Sequence, residues 1–194
     1  MDTSISVIVP FYAKASIKEL KRCLNSISKQ EIKPNDIHLA INGLNYYDSS
    51  YKQKIESLIK KLKENQIKTF IYYLSKASVS NARNYAIEKS INKWICTIDA
   101  DDYMSSTRIK VFLEHLKRFD KEKSPWVVYT PAIPFNRKKL GNLWRTAPIA
   151  LLPLQLSFKN PIIHTTTFFK RDIFIKVGKY RNHKIIQDYD LFLR

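Results

Sequence analysis

The chain is short of the residues that build several familiar devices. Only three of its 194 residues are glycine, at positions 43, 141 and 178. None follows the first strand-like run, which argues against a glycine-rich, phosphate-cradling loop there. The two cysteines, Cys23 and Cys96, lie far apart, one in a helical pattern and one in a strand pattern. A disulfide framework or a zinc site is therefore not expected, and a reducing cytoplasm fits. No apolar stretch approaches the ~18 residues needed to cross a bilayer, and Ile5 to Pro10 is too short for a secretory signal. Acid is scarce as well: 17 Asp and Glu stand against 34 Lys and Arg, a formal charge of +17. That excess favours polyanionic partners such as nucleotide phosphates, anionic lipid, acidic glycans or nucleic acid, without choosing among them.

A hydrophobic content of 44% is enough for one sizeable core, so one compact unit is expected. Ile5 to Pro10 reads as a buried, β-branched strand closed by a proline that cannot continue the ladder. Ile17, Leu20, Leu24 and Ile27 then recur at helical spacing. Asp36 to Ile41 is a second strand ending at Asn42-Gly43, and Tyr51, Ile55, Leu58, Ile59 and Leu62 mark a second helix. Ile67 to Leu74 is a third strand. Ser78 or Ser80 caps a helix carrying Ala82, Ala86 and Ile87, and Trp94 to Ile98 is a fourth strand. This alternation predicts a mainly parallel α/β sheet with helices on both faces. A helix over 107–119, a strand over 126–129, a strand over 165–169, a short helix over 171–177 stopped by Gly178, and a last helix from Gln187 complete the pattern. Between them, residues 131–160 are proline-broken. The apolar stretch Ala147 to Leu156 suits an acceptor groove or a membrane contact, and equally a packed irregular connection.

Asp99-Ala100-Asp101-Asp102 follows the fourth strand, so three carboxylates arrive at the carboxyl end of a buried strand, where open α/β sheets bind ligands. Carboxylates this crowded repel one another unless a cation lies between them, which points to a divalent ion carrying a phosphorylated substrate. The same residues also suit a solvated turn with Asp102 near the N-cap of the next helix.

Four ordered blocks then carry a resemblance: Ile5 to Tyr12; Ser80-Asn81-Ala82-Arg83-Asn84; Asp99-Ala100-Asp101-Asp102; and Gly178-Lys179-Tyr180 leading to Gln187-Asp188-Tyr189-Asp190-Leu191. Together they resemble a family 2 glycosyltransferase of the GT-A fold, inverting and of bacterial type. The resemblance implies a single GT-A catalytic domain over 1–194, with a nucleotide-binding half to about 104 and an acceptor half beyond it. It also implies that the native protein continues past residue 194. By carry-over, Pro10, Phe11, Tyr12, Asn42, Arg83, Asn84, Asp99, Ala100 and Asp101 bind the nucleotide sugar. Asp101 ligates Mn²⁺ or Mg²⁺, Asp99 contacts the ribose or the ion, and His164 reaches the metal or diphosphate. Asp188 is the catalytic base, and Asp102 and Asp190 lie on the acceptor side. Each residue also has a plainer reading: burial for Phe11, a surface salt bridge for Arg83, an N-cap for Asp188, a structural hydrogen bond for His164.

Two departures stand out. The family usually has an acid after the second strand, where this chain has Asn42, so a uridine preference is less firmly implied. Gln187 replaces the acid that commonly precedes the base, which removes one negative charge from beside Asp188. The partners that the resemblance implies are a nucleotide-diphosphate sugar, a UDP-sugar by family habit, and a glycan or lipid-linked glycan acceptor. Peripheral membrane contact at the cytoplasmic face of the inner membrane is also implied, and nucleic acid is not expected. A composition rich in Lys, Ile, Asn and Tyr suits a bacterial source of low GC content, and with the resemblance this implies surface polysaccharide or lipooligosaccharide synthesis. The competing readings are a nucleic-acid or polyanion-binding module, and a donor-binding fragment without activity.

Overall fold

The β-branched run near the N-terminus becomes the centre of a six-stranded sheet. In the computed structural model, which describes residues 2–43, 49–64, 67–119, 124–136, 139–144, 151–183 and 185–194, β1 (Ile5–Tyr12) is followed by α1 (Ile17–Ser28), β2 (Asp36–Asn42) and α2 (Ser49–Glu64). Next come β3 (Lys68–Leu74), α3 (Val79–Lys89), β4 (Trp94–Thr97), α4 (Arg108–Leu116) and β5 (Val127–Tyr129). A small hairpin, β6 (Phe135–Asn136) and β7 (Lys139–Leu140), precedes α5 (Leu152–Leu156). A single 3₁₀ turn at His164–Thr166 then leads into β8 (Thr167–Lys170), α6 (Arg171–Lys176) and α7 (Gln187–Phe192).

The strand order is β3-β2-β1-β4-β8-β5. The first four are parallel, β8 runs antiparallel to β4, and β5 antiparallel to β8. Period-2 alternation sorts the side chains onto two faces. Val7, Val9, Leu39, Ile41, Trp94 and Cys96 meet α1, α2 and α4 on one face. On the other, Ile8, Ala40 and Ile95 meet α3, α6 and α7 through Ala82, Ala86, Phe174 and Leu191. Both thiols are buried and free, and burial pushes them up.

Pro10 does not close its strand. β1 continues to Tyr12, with Pro10 in register with Ala40 of β2. The reason is local: Ile8 accepts from Ile98 N on the β4 side, so Pro10, two residues on, faces the same side beyond the point where β4 ends. A missing N–H therefore breaks no ladder bond. Ser78, rather than Ser80, caps α3, accepting from Asn81 N at 3.3 Å. Asp102 is no helix cap, because α4 starts from Thr107.

The proline-broken stretch does not pack inward. Among its described residues none joins the buried hydrophobic core, and Trp144, Leu154 and Phe158 are exposed. Part of the apolar run beginning at Ala147 lies outside the described residues; the rest forms the short helix α5, which sequence patterning leaves unassigned. Among the described residues no helix is long and apolar enough to cross a membrane.

Candidate active site

Strands β1, β2 and β4 end side by side at one edge of the sheet, and the chain turns there three times. After β4, Ile98 N donates to Ile8 O and Asp102 N donates to Asp99 O at 3.0 Å, folding the acidic cluster into a tight turn. Arg22 of α1 secures this turn from outside, its Nη2 donating to Asp101 O at 2.6 Å. After β2, Gly43 takes a left-handed φ of +83°, and a Cβ there would lie 2.6 Å from Tyr12 Cε2. Only glycine therefore lets the Tyr12 ring and this turn approach so closely.

The edge encloses a cleft of about 550 Å³. Pro10, Phe11, Tyr12, Asn42, Arg83, Asp99, Ala100 and Asp101 all line it, so the structure brings eight sequence-predicted residues to one cavity. Their availability differs. Phe11 is 1% exposed and its side chain belongs to the core, whereas Tyr12 is 39% exposed and offers its ring. Asn42 spends its amide on the backbone: Nδ2 donates to Phe11 O at 3.0 Å and Oδ1 accepts from Ser78 N at 3.2 Å. Its first role is therefore to tie the β1, β2 and α3 ends together.

Arg83 is a buried ion-pair residue, not a surface one. It is 6% exposed, and its Nη2 lies 2.6 Å from Asp99 Oδ1. Burial is the largest single influence and works to lower the guanidinium's affinity for its proton, but the Asp99 charge and hydrogen bond, Tyr180 and Asp188 together outweigh it, so the net shift is upward. The guanidinium also sits 5.6 Å from the centre of the Tyr180 ring. Asp99 and Asp188 thus act on one cation from two places remote in sequence, the turn after β4 and the helix α7.

Asp188 lies in the first turn of α7 and is not its cap; that position falls to Ile186. Its Oδ2 accepts from Asn160 Nδ2 at 3.0 Å, and its neighbour Gln187 lines the cleft beside the acids. Asn160 was invisible to sequence reasoning, since nothing in the pattern around it marks a contact 28 residues away. Asp190 lies elsewhere on the helix, within 3.2 Å of Arg181 and 2.9 Å of Arg194, so its position is that of a structural hub. Asn84 also stands outside the cleft lining. Its Nδ2 donates to Tyr180 O at 2.8 Å and its Oδ1 accepts from Tyr180 N at 3.0 Å, clamping the segment after α6 onto α3.

His164 is buried, its Nε2 hydrogen-bonded to the Tyr180 hydroxyl at 2.6 Å. Burial, with the Arg83 charge adding, pushes the imidazole down to about 3, so it is neutral near pH 7. Its Nδ1 is buried without a hydrogen-bond partner. Asp102 is raised, chiefly by desolvation, with repulsion from Asp99 and Asp101 adding and a Thr165 hydrogen bond opposing.

Among the described residues no group of three or more His, Cys, Asp or Glu could hold a metal by itself. Besides Glu19 of α1, the cleft offers two carboxylates, Asp99 and Asp101, on one turn at its edge. That donor set fits a hard divalent ion that keeps several waters and takes its other oxygens from a bound diphosphate. It does not fit a closed, all-protein cage.

Comparison with known proteins adds a further finding. A family model described as Glycosyl transferase family 2 matches residues 6–178. Among curated proteins, the amylovoran biosynthesis glycosyltransferase AmsE of Erwinia amylovora is 26% identical over 199 residues, covering 97% of this chain and 68% of the relative. Among solved structures, S. aureus TarS 1–349 in complex with UDP-GlcNAc superposes with a TM-score of 0.66 at 16% identity, covering 97% of this chain and 52% of that one. The mannosyltransferase PcManGT from Pyrobaculum calidifontis, in complex with GDP-Man and Mn²⁺, gives 0.66 at 14%, covering 96% and 50%. The fold is thus that of the GT-A glycosyltransferases. The chain spans about two thirds of the length of the curated relative and about half of the solved ones.

Proposed function

Since the chain belongs to glycosyl transferase family 2, we propose that it moves a sugar from a nucleotide-diphosphate donor, a UDP-sugar, onto a glycan hydroxyl with inversion of configuration. The observation that carries this reading is Arg83: one buried guanidinium in the lining of the donor cleft is paired with Asp99 and lies within the field of Asp188, whose neighbour Gln187 lines the same cleft. The relative in amylovoran biosynthesis supports bacterial surface polysaccharide as the product class, and the UDP-GlcNAc complex supports a UDP-sugar donor.

In this reading the nucleotide lies along the edge formed by Tyr12, Asn42 and Ser78, with Tyr12 as the exposed ring against the base. Arg83 contributes a fixed positive charge toward the diphosphate and holds the Asp99 carboxylate in place. Asp99 and Asp101 would hold Mn²⁺ or Mg²⁺, which supplies charge neutralisation for the departing diphosphate. Asp188, steadied by Asn160 through Oδ2, takes the proton of the acceptor hydroxyl as it attacks the anomeric carbon from the side opposite the leaving group. His164 acts from behind: neutral and bonded to the Tyr180 hydroxyl, it fixes the ring on which Arg83 rests. We place the reaction at the cytoplasmic face of the membrane, with the exposed apolar side chains of residues 131–160 as the peripheral contact.

A thermal-shift panel tests the donor site. UDP together with Mn²⁺ should raise Tm, as linkage requires for a ligand of the folded state, and Asp101→Ala should remove most of that rise. An equal rise without the ion, or one untouched by the substitution, contradicts the assignment.

A further inference from the structure

Helix α1 grips the chain after β4 with a polar stripe. Arg22, Ser26 and Gln30 are spaced four apart, so they stack along one face. Each meets the backbone of the segment that runs from the acidic turn into α4. Arg22 Nη2 donates to Asp101 O at 2.6 Å, and Ser26 Oγ accepts from Met104 N at 3.1 Å. Gln30 donates through Nε2 to Ser105 O at 2.6 Å and accepts from Ile109 N through Oε1 at 3.1 Å. The stripe therefore holds residues 101–109 at intervals, and Arg22 holds the end that bears the carboxylates.

The two aspartates of the donor cleft are fixed differently. Asp99 is held by its side chain, through Arg83. Asp101 is exposed, and among the described residues its one hydrogen bond is the carbonyl bond to Arg22, so its carboxylate stays free. A residue that keeps both oxygens free for an ion is placed through its backbone, and Arg22 does the placing. Arg22 is itself held. Its guanidinium lies 5.1 Å from the ring centres of both Tyr103 and Phe135, which meet edge to face at 5.5 Å. Its Nε is buried without a hydrogen-bond partner, so two rings and one carbonyl orient the head. Phe135 belongs to β6, so the hairpin reaches the acidic turn through this one side chain.

We propose that Arg22 is a positioning residue for the donor's divalent ion: clamped by Tyr103 and Phe135, it sets the direction of the Asp101 carboxylate from outside the lining of the donor cleft. The inference rests on Asp101 being an ion ligand, as the preceding reading has it. The charge of Arg22 acts in the opposite sense, because a guanidinium beside the turn repels a divalent cation. Removing the side chain tightens the ion if charge alone matters and loosens it if position matters. The sign of the change separates the two.

The test is UDP affinity by calorimetry, in saturating Mn²⁺ and in EDTA, for the wild type, Arg22→Ala, Phe135→Ala, the double variant and Asp101→Ala, each below its Tm by circular dichroism. The quantity read is the enhancement of affinity by Mn²⁺. Arg22→Ala frees the backbone of one ligand residue and should cut that enhancement by about 5- to 30-fold, bounded by the loss in Asp101→Ala, with affinity in EDTA unchanged. Phe135→Ala keeps the charge, and its ring is 41% exposed, so it should fold and cut the enhancement by about 2- to 5-fold. The double variant should lose no more than Arg22→Ala alone, since the ring acts through the guanidinium. Wild-type or greater enhancement in Arg22→Ala overturns the proposal, and so does an equal loss in EDTA, which marks a merely structural residue. Additive losses in the double variant overturn the clamp. If Asp101→Ala keeps the full enhancement, the donor reading itself fails; if that variant loses it while Arg22→Ala keeps it, this inference alone fails.

Discussion

Gly43→Ala isolates how the fold places a ring at the donor cleft. At φ +83° an L-residue pays about 1–2 kcal/mol for the left-handed conformation. The new Cβ would also sit 2.6 Å from Tyr12 Cε2 and 3.0 Å from Cδ2, so the ring must move. Because Tyr12 is 39% exposed it can swing outward, and the packing lost with it is about 0.5–1.5 kcal/mol. The sum, about 1.5–3.5 kcal/mol, corresponds to a fall in Tm of about 3–14 °C at 2–4 °C per kcal/mol for a chain of this size. In a Tyr12→Ala background the steric part vanishes and the backbone part stays, so Gly43→Ala should then cost only about 1–2 kcal/mol, and the difference is the coupling between the two residues. UDP affinity measured in Mn²⁺ should fall about 2- to 10-fold in Gly43→Ala with Tyr12 present, and no further when Tyr12 is already absent. Unchanged UDP affinity in the single variant would remove Tyr12 from the site. An unchanged Tm would show that the turn does not need its left-handed residue.

Phe112→Ala should cost about 3–5 kcal/mol in urea denaturation, because its ring stacks on Phe168 at 4.0 Å, meets Trp94 edge-on at 5.0 Å and is almost wholly buried; a loss under about 1 kcal/mol contradicts that packing. The imidazole of His164 provides a pH test. Held down to about 3 in the fold against 6.5 when unfolded, it makes the unfolded chain bind more protons between those values. Stability is therefore present above the unfolded value and is lost as pH falls toward the folded one, by about 2–3 kcal/mol between about pH 7 and about pH 4.5. His164→Asn should flatten most of that slope, and an unchanged slope would show that the imidazole is not buried neutral.

How much was legible in the chain follows from how far each signal reaches. β1 to β4 with their helices were readable because every strand is a local apolar run and every helix a local 3.6 period. Pro10 misled, because whether a proline ends a strand depends on where the neighbouring strand stops, and β4 stops just before it. The acidic turn was marked by its own sequence, and its place at the strand's carboxyl end came from a general rule of open sheets. The amides of Asn42 and Asn84 make bonds to backbone partners 31 and 96 residues away that no local pattern marks, since only the tertiary fold brings them together. Arg22 carried no motif at all. Its importance comes from Asp101, 79 residues on, and from two rings that the sequence places far from α1. The strand β8 was legible as an apolar run but its antiparallel direction was not, since pairing direction is set by the tertiary fold, and the hairpin β6–β7 was hidden because two-residue strands in a proline-broken region are too short for any period to show.

The proposed reaction stands on Asp188 reaching the acceptor hydroxyl beside a donor held at Asp99 and Asp101. The most direct measurement compares Asp188→Asn with the wild type in two assays on the same protein, UDP affinity in Mn²⁺ and the rate of sugar transfer from UDP-sugar to acceptor. The account predicts unchanged nucleotide affinity with transfer reduced by about 10²–10⁴-fold, the contribution of a positioned general base. Transfer at the wild-type rate in Asp188→Asn would contradict it.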